Sequence, residues 1–372
     1  MKIQNIANTN GYINFKGYEA RKLDTILVQK RADFGSDYLM NQLGMIATRH
    51  RVDIQKANYI DTPWLQDDLY FTPNKKIISS DYTAASAYGE IYGMEGDCLA
   101  SLDNPLAYRH LEGGNIFFVT NKDGEQVILT AKNRYGVCEL EGYEDTFGVK
   151  KVIPLPHADF HADLFITPIG DNKVLVANDK LMIEALDKLK IACIKFVEQN
   201  PDDEEAGEIK KVIKNLEEET IAFKKCVDEY LYKGCDEETL DVLKKNGFKA
   251  IPVPSRIYDF SKWNRGNNIE NPTHLLNYSN AITFKDRSNE TVFITGKSGM
   301  EKKIGLTDSI ARKIGTSFEK LFIEAVVPHL NPKNIHFIEG SSFNPISKIL
   351  EERKGGLHCM CTEVPSYSEN LF

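Results

Sequence analysis

A cysteine that follows a histidine and a glycine pair, close to the end of the chain, is the feature of this sequence best suited to chemistry. It lies in Gly355-Gly356-Leu357-His358-Cys359-Met360-Cys361-Thr362-Glu363. Carboxylates and a second histidine recur far upstream, in Trp64-Leu65-Gln66-Asp67-Asp68, Leu111-Glu112-Gly113-Gly114-Asn115 and His161-Ala162-Asp163. A thiol can attack, a histidine can move protons, and carboxylates can grip a planar cation by its N–H forks. Together these groups are what reaction at a guanidinium carbon requires.

Taken singly, each piece has a plainer reading. A cysteine is more often core packing than a nucleophile. Cys359 stands apart because it follows Gly355-Gly356 and His358; Cys361 is its rival, and in extended backbone the two face the same way. His358 would then face the opposite way, so it is not taken as a catalytic base. In extended backbone His161 and Asp163 also share a face, just ahead of the apolar run Leu164-Phe165-Ile166. A polar strand start would look the same. His157-Ala158-Asp159 is a second copy, but Pro154 and Pro156 make it read as loop. Trp64 before adjacent carboxylates is either a capped turn or an indole beside a cation-gripping acid, with Asp67 and Asp68 equally eligible. Gly113-Gly114 marks a tight turn, and also lets the backbone come close to a ligand.

In this order, Trp-Leu-Gln-Asp, Glu-Gly-Gly-Asn, His-Ala-Asp and Gly-Gly-Leu-His-Cys resemble the motifs of the guanidine-modifying enzymes, which include arginine, agmatine and peptidylarginine deiminases, dimethylargininases and amidinotransferases. The resemblance runs from about residue 20 to residue 365, as short motifs in unmatched sequence. It implies a five-bladed αβ-propeller, the pentein fold, with the site at its centre. It places the nucleophile on Cys359, the base on His161 and guanidinium-binding carboxylates on Asp67 and Asp163. Glu112 would orient His161 or touch substrate, and Trp64, Gly114 and Asn115 would line the substrate. The reaction implied is hydrolysis of an arginine-like guanidinium to a ureido product and ammonia, through a covalent thiouronium on Cys359. An amidinotransferase sharing that intermediate, and a non-catalytic binding protein of the same fold, are the alternatives. No cofactor and no metal is implied. Cys361 departs from the pattern, standing where many relatives carry Thr or Ser.

Short strand-like runs alternate with helical ones, which predicts an α/β protein. Thr25-Ile26-Leu27-Val28 reads as a strand, and Thr291-Val292-Phe293-Ile294 as another. Ile116-Phe117-Phe118-Val119 and Gln126-Val127-Ile128-Leu129 read as a hairpin joined by Asn121-Lys122-Asp123-Gly124. Leu164-Phe165-Ile166 and Val174-Leu175-Val176 read as a further pair. Residues 179–245 differ. Leu181, Ile183, Leu186, Leu189 and Cys193 recur at helical spacing, and Ile209 to Leu231 continue the period after Asn200-Pro201-Asp202-Asp203. The chain therefore reads as a single catalytic domain over residues 1–372 with a helical insertion at 179–245, longer than the usual connection in the family.

The chain has 372 residues, a formal charge of −8, 42% hydrophobic and 27% charged residues. That balance describes an ordinary globular chain without the basic face of a nucleic-acid binder. An acidic surface suits a cationic partner: a small arginine-like molecule or an arginine side chain of a protein. Seven cysteines at irregular spacing read as free thiols of a reducing compartment. The N-terminus lacks a signal-peptide core and no apolar run reaches membrane-spanning length, so the cytoplasm is the default, though secretion without a signal peptide leaves no mark in sequence. The amphipathic helices of the insertion suit packing onto their own domain or a homo-oligomer contact. Substrate choice is expected from a loop at 258–278, where Arg256, Arg265 and Asn268 offer polar groups.

Overall fold

A computed structural model describes residues 23–32, 35–100, 111–131, 142–156, 161–229, 235–255, 277–339 and 356–366. His157-Ala158-Asp159, Arg256, Arg265 and Asn268 lie outside them.

One unit repeats: an antiparallel strand pair followed by a parallel third strand reached through helix. The first blade pairs β1 (Leu23–Val28) with β2 (Asp53–Lys56), across α1 (Ser36–His50). The second joins β3 (Leu69–Phe71), β4 (Lys76–Ser79) and β5 (Glu95–Cys98), with α2 (Leu65–Asp68) just ahead and α3 (Tyr82–Tyr92) as the crossover. The third is β6 (Ile116–Thr120), β7 (Gln126–Thr130) and β8 (Lys151–Pro154), with α4 (Tyr143–Phe147). The fourth is β9 (Ile166–Gly170), β10 (Lys173–Ala177) and β11 (Lys249–Val253). Its crossover holds α5 (Asp179–Gln199), α6 (Ala206–Glu229) and α7 (Cys235–Lys245). The fifth is β12 (Ala281–Lys285), β13 (Thr291–Gly296) and β14 (Ile335–Ile338), spanned by α8 (Met300–Ile304), α9 (Asp308–Ile314) and α10 (Phe318–Val326). The missing antiparallel strand of the first blade comes from the other end of the chain. This is β15 (Cys361–Pro365), which pairs with β1 so that Val28 faces Cys361 and Leu23 faces Pro365.

Five apolar clusters lie between successive blades. Leu27, Leu65, Phe71 and Val364 join the first to the second, and Tyr70, Ile78, Phe118 and Phe147 the second to the third. Val119, Leu129, Phe165 and Val176 join the third to the fourth, and Leu186, Val212, Phe293 and Phe322 the fourth to the fifth. Ile26, Val28, Phe284 and Ile294 close the fifth onto the first. The blades thus form a closed ring, the five-bladed αβ architecture implied by the motif resemblance. A cavity of about 50 Å³ between the inner strands is lined by Phe71, Phe117, Thr283, His358 and Glu363.

Local chemistry explains the elements. Asn121 turns the β6–β7 hairpin by accepting from the N–H groups of Asp123 (2.9 Å) and Glu125 (3.0 Å), with Gly124 at φ 80°. Asn178 caps α5 by accepting from Leu181 N–H at 3.0 Å. Helix α5 then buries Met182, Ala185, Leu186, Leu189 and Cys193 along one face. That face and the apolar face of α6 pack on α8 and α10 of the fifth blade, so the long fourth crossover buries its apolar stripes within this chain. Lys303–Glu219 (2.6 Å) and Lys313–Asp203 (2.7 Å) tie it there. No described helix is long and apolar enough to cross a membrane.

Candidate active site

Each blade carries a short polar segment immediately before its innermost strand, and these five segments meet at one end of the ring. Asp67 precedes β3; Glu112, Gly114 and Asn115 precede β6; His161 and Asp163 precede β9; Asn280 precedes β12; His358 and Cys359 precede β15. Residues 196 positions apart, Asp163 and Cys359, thereby touch.

At the centre Cys359 Sγ donates to Asp163 Oδ2 at 3.1 Å, and His358 Nδ1 lies 3.1 Å from the same oxygen. Asn280 Nδ2 donates to Cys359 Sγ at 3.3 Å. Glu112 Oε2 stands 3.4 Å from His161 Nε2, and Asp163 Oδ1 4.0 Å from His161 Nδ1. Gly114 N–H donates to Asp67 Oδ1 at 3.3 Å. Asp163 is fully buried, and Glu112, His161, Asn280, His358 and Cys359 nearly so, whereas Asp67 stays partly open to solvent. The donor atoms of His161, Asp163 and Cys359 all lie within 4.8 Å of one another, close enough to bracket a metal ion as well as a substrate.

The glycines are fixed by close approach. A Cβ on Gly113 would stand 1.6 Å from the Gln66 carbonyl oxygen, so only glycine lets the Glu112 turn dock against α2. A Cβ on Gly114 would lie 2.7 Å from His161 Nδ1 and 2.9 Å from both Asp163 oxygens. Asn115 is committed to the backbone: its Oδ1 accepts from Ala131 N–H (3.0 Å) and Ala162 N–H (3.1 Å), and its Nδ2 donates to Ala131 O at 3.1 Å. It clamps the third blade to the His161 segment. Trp64 is half-buried and packs on the cluster between the fifth and first blades. Of the two adjacent acids, Asp67 turns to Gly114, while Asp68 accepts from Ser80 Oγ at 2.5 Å.

Two expectations are corrected. His358 was expected to face away from Cys359, on the premise of extended backbone. Residues His358–Met360 instead form a 3-10 turn, which brings both side chains onto Asp163; extension resumes only at Cys361. Cys361 is packed in the core between the fifth and first blades. The strand expected from Leu164 starts at Ile166, because Ala162–Leu164 is also a 3-10 turn. His161 and Asp163 meet through that turn, entered with His161 at φ 77°, a conformation uncommon for a residue with a side chain. Asn280 and His358 are the site-lining residues that sequence reasoning missed.

Burial alone would pull the His161 pKa down, but Glu112, Asp67 and Asp163 outweigh it and hold the imidazolium above the ordinary 6.5. His358 is raised in the same way, by Asp163 with Glu363 against burial. Burial pushes the Asp67 carboxyl up, partly offset by His161 and the Gly114 N–H. Burial, then Asp163 and Asp67, push the Cys359 thiol well above its usual range, while Gly356 and Asn280 pull it back in part. The site thus brings a buried thiol and two imidazoles against carboxylates.

No family model and no curated protein matches the chain. Solved structures similar to it include an agmatine deiminase of C. jejuni, 15% identical over 94% of this chain and 95% of that one, with TM-score 0.46. A DDAH from Pseudomonas aeruginosa complexed with citrulline is 11% identical over 92% and 99%, with TM-score 0.38. A dimethylarginine dimethylaminohydrolase adduct with S-methyl-L-thiocitrulline is 12% identical over 92% and 99%, with TM-score 0.40.

Proposed function

We propose that this protein is a cysteine-dependent hydrolase that converts an arginine-like guanidinium to a ureido compound and ammonia. The observation that carries the reading is the convergence of Cys359, Asp163, His161, Glu112 and Asp67 from four blades onto one buried point. A planar cation held by Asp67 on one edge and Asp163 on another leaves its central carbon facing Sγ. Its positive charge also offsets the carboxylates that hold the thiol protonated, so substrate arrival releases the thiol proton to solvent and creates the nucleophile.

The thiolate then forms a bond to the guanidinium carbon. His161 gives its proton to a nitrogen of the tetrahedral adduct, the carbon–nitrogen bond breaks, and ammonia leaves. The thiouronium on Cys359 is attacked by water, whose proton His161 takes. Collapse expels the sulfur, which takes up the remaining hydroxyl proton and so returns as the thiol, and leaves a carbonyl where the nitrogen was. Glu112 keeps His161 cationic for the first half of the cycle. No step calls on a cofactor.

Ammonia and ureido-product release with arginine, agmatine, dimethylarginine and an arginine peptide tests the reading, with Cys359→Ala as control. Turnover of one substrate, abolished in that variant, is expected. An added amine acceptor that yields an amidino product in place of ammonia would instead make the protein an amidinotransferase. Turnover of none would remove the enzyme reading.

A further inference from the structure

Four of the five segments that meet at the site carry the groups used above; the fifth contributes only Asn280. Its carboxamide is 2% exposed and makes two contacts with the cysteine segment. Oδ1 accepts from the His358 main-chain N–H at 2.7 Å, and Nδ2 donates to Cys359 Sγ at 3.3 Å. The first contact settles the second. A main-chain N–H can only donate, so the atom facing it must be the oxygen, and the atom facing sulfur must be the NH₂. Asn280 therefore presents to Sγ a group that donates and cannot accept. Such a group cannot take the thiol proton; it can only favour sulfur once the proton has gone.

The carboxamide is itself held. Asn277 Oδ1 accepts from the main-chain N–H groups of Ser279 (3.1 Å) and Asn280 (3.3 Å). Gly356 packs so closely that a Cβ there would stand 2.1 Å from Asn280 Oδ1. The carboxylates around Sγ oppose its ionisation, and Asn280 Nδ2 is the side-chain donor that touches it.

We infer that Asn280 is a catalytic residue of this site: its Nδ2–H stabilises the Cys359 thiolate while its Oδ1 locks the 3-10 turn that aims the sulfur. The inference rests on Cys359 as the nucleophile of the proposed function. It assigns the fifth blade the job of keeping the thiolate attainable in a pocket built to hold a cation.

Iodoacetamide alkylation of Cys359 in the free protein, followed by peptide mass spectrometry at fixed mildly alkaline pH, reads this directly. Asn280→Asp keeps an acceptor for the His358 N–H and removes the donor; Asn280→Ala removes both. Both should slow alkylation by about tenfold or more, the loss expected for one charge-assisted hydrogen bond. With a turned-over substrate, N280D should lower kcat while KM stays near that of the unaltered protein. Alkylation of N280D at the unaltered rate would overturn the inference. If the variants do not fold, the unaltered protein still decides: the Asn280 side-chain amide resonances should shift with pH in step with the Cys359 alkylation rate, and resonances indifferent to that rise overturn it. Alkylation needs no substrate. A protein that slows in N280D but turns over no guanidinium compound loses the deiminase reading, and with it the catalytic role of Asn280, and keeps only the Nδ2 contact that stabilises the thiolate; one that deiminates with no slowing keeps the deiminase reading and loses the role of Asn280.

Discussion

The adjacent acids Asp67 and Asp68 are chemically alike and were equally eligible in sequence, and their successive places on the short helix α2 separate their fates. Asp67 faces Gly114 and the His161 imidazolium; Asp68 faces Ser80. Asp67→Asn should lower kcat/KM by about 10- to 100-fold, the effect of one charge-assisted hydrogen bond, and Asp68→Asn should leave it near unity. Steady-state kinetics of the pair checks this; equal effects would mean that neither grips the substrate. The site's charges also fix a pH response. The Cys359 thiol is raised, so in the free protein its alkylation should be slow at neutral pH and climb on the alkaline side. His161 is raised too, so its proton persists to higher pH than on a free imidazole and is lost as pH rises through that elevated value, which should give turnover an alkaline limb. An alkylation profile already flat at neutral pH would contradict the charge arrangement. Most residues that meet at the candidate site were named in sequence through the order of their motifs, since singly each thiol, imidazole and carboxylate has a plainer reading. Asn280 and His358 were not. An asparagine before a strand resembles any turn residue, and alternation assigns His358 to the wrong side once the backbone is a 3-10 turn.

The elements that deliver these groups are short turns fixed by glycine and by side chain to backbone bonds. Gly113 and Gly114 are adjacent, but they protect different things. A methyl on Gly113 meets the Gln66 backbone, which cannot swing aside; a methyl on Gly114 meets the side chains of His161 and Asp163. Gly113→Ala should therefore cost about 1–3 kcal/mol of stability, as overpacking does, and take activity with it. Gly114→Ala should lose activity out of proportion to stability. Thermal melting beside turnover separates the two; similar melting losses would mean that the second methyl also moves backbone. The β6–β7 hairpin and the helices of 179–245 could be read from sequence, since turn chemistry and apolar period act locally. The 3-10 turns before β9 and β15 could not. Ala162–Leu164 and His358–Met360 carry no propensity that marks them, and their shape comes from contacts with Asn115 and Asn280 on other blades.

At the scale of the molecule, the alternation of strand and helix announced an α/β class, but the fivefold repeat was invisible by identity. What the blades share is a strand pattern and a polar segment before the inner strand, and both tolerate nearly any sequence. The fourth crossover, with its three helices, hides the repeat further. The ring closes through β15, whose pairing with β1 restores to the first blade the hairpin that every other blade makes locally. Closure also sets Cys359 opposite Asp163. If the ring and not the order of the chain defines the fold, joining residue 372 to residue 1 and opening the exposed turn Asn200–Asp203 between α5 and α6 should give a protein that folds and keeps its Cys359 chemistry. In that permutant β15 and β1 become consecutive strands, and their ends, Pro365 and Leu23, already lie side by side. A chain ending before residue 356 lacks the same strand. It leaves an unpaired edge on β1 and uncovers the apolar faces around Ile26 and Leu27, so it should aggregate instead of melting cooperatively. Size-exclusion chromatography with circular dichroism melting compares the two proteins. A truncated chain that stays monomeric and melts sharply would show that the first blade stands without its closing strand.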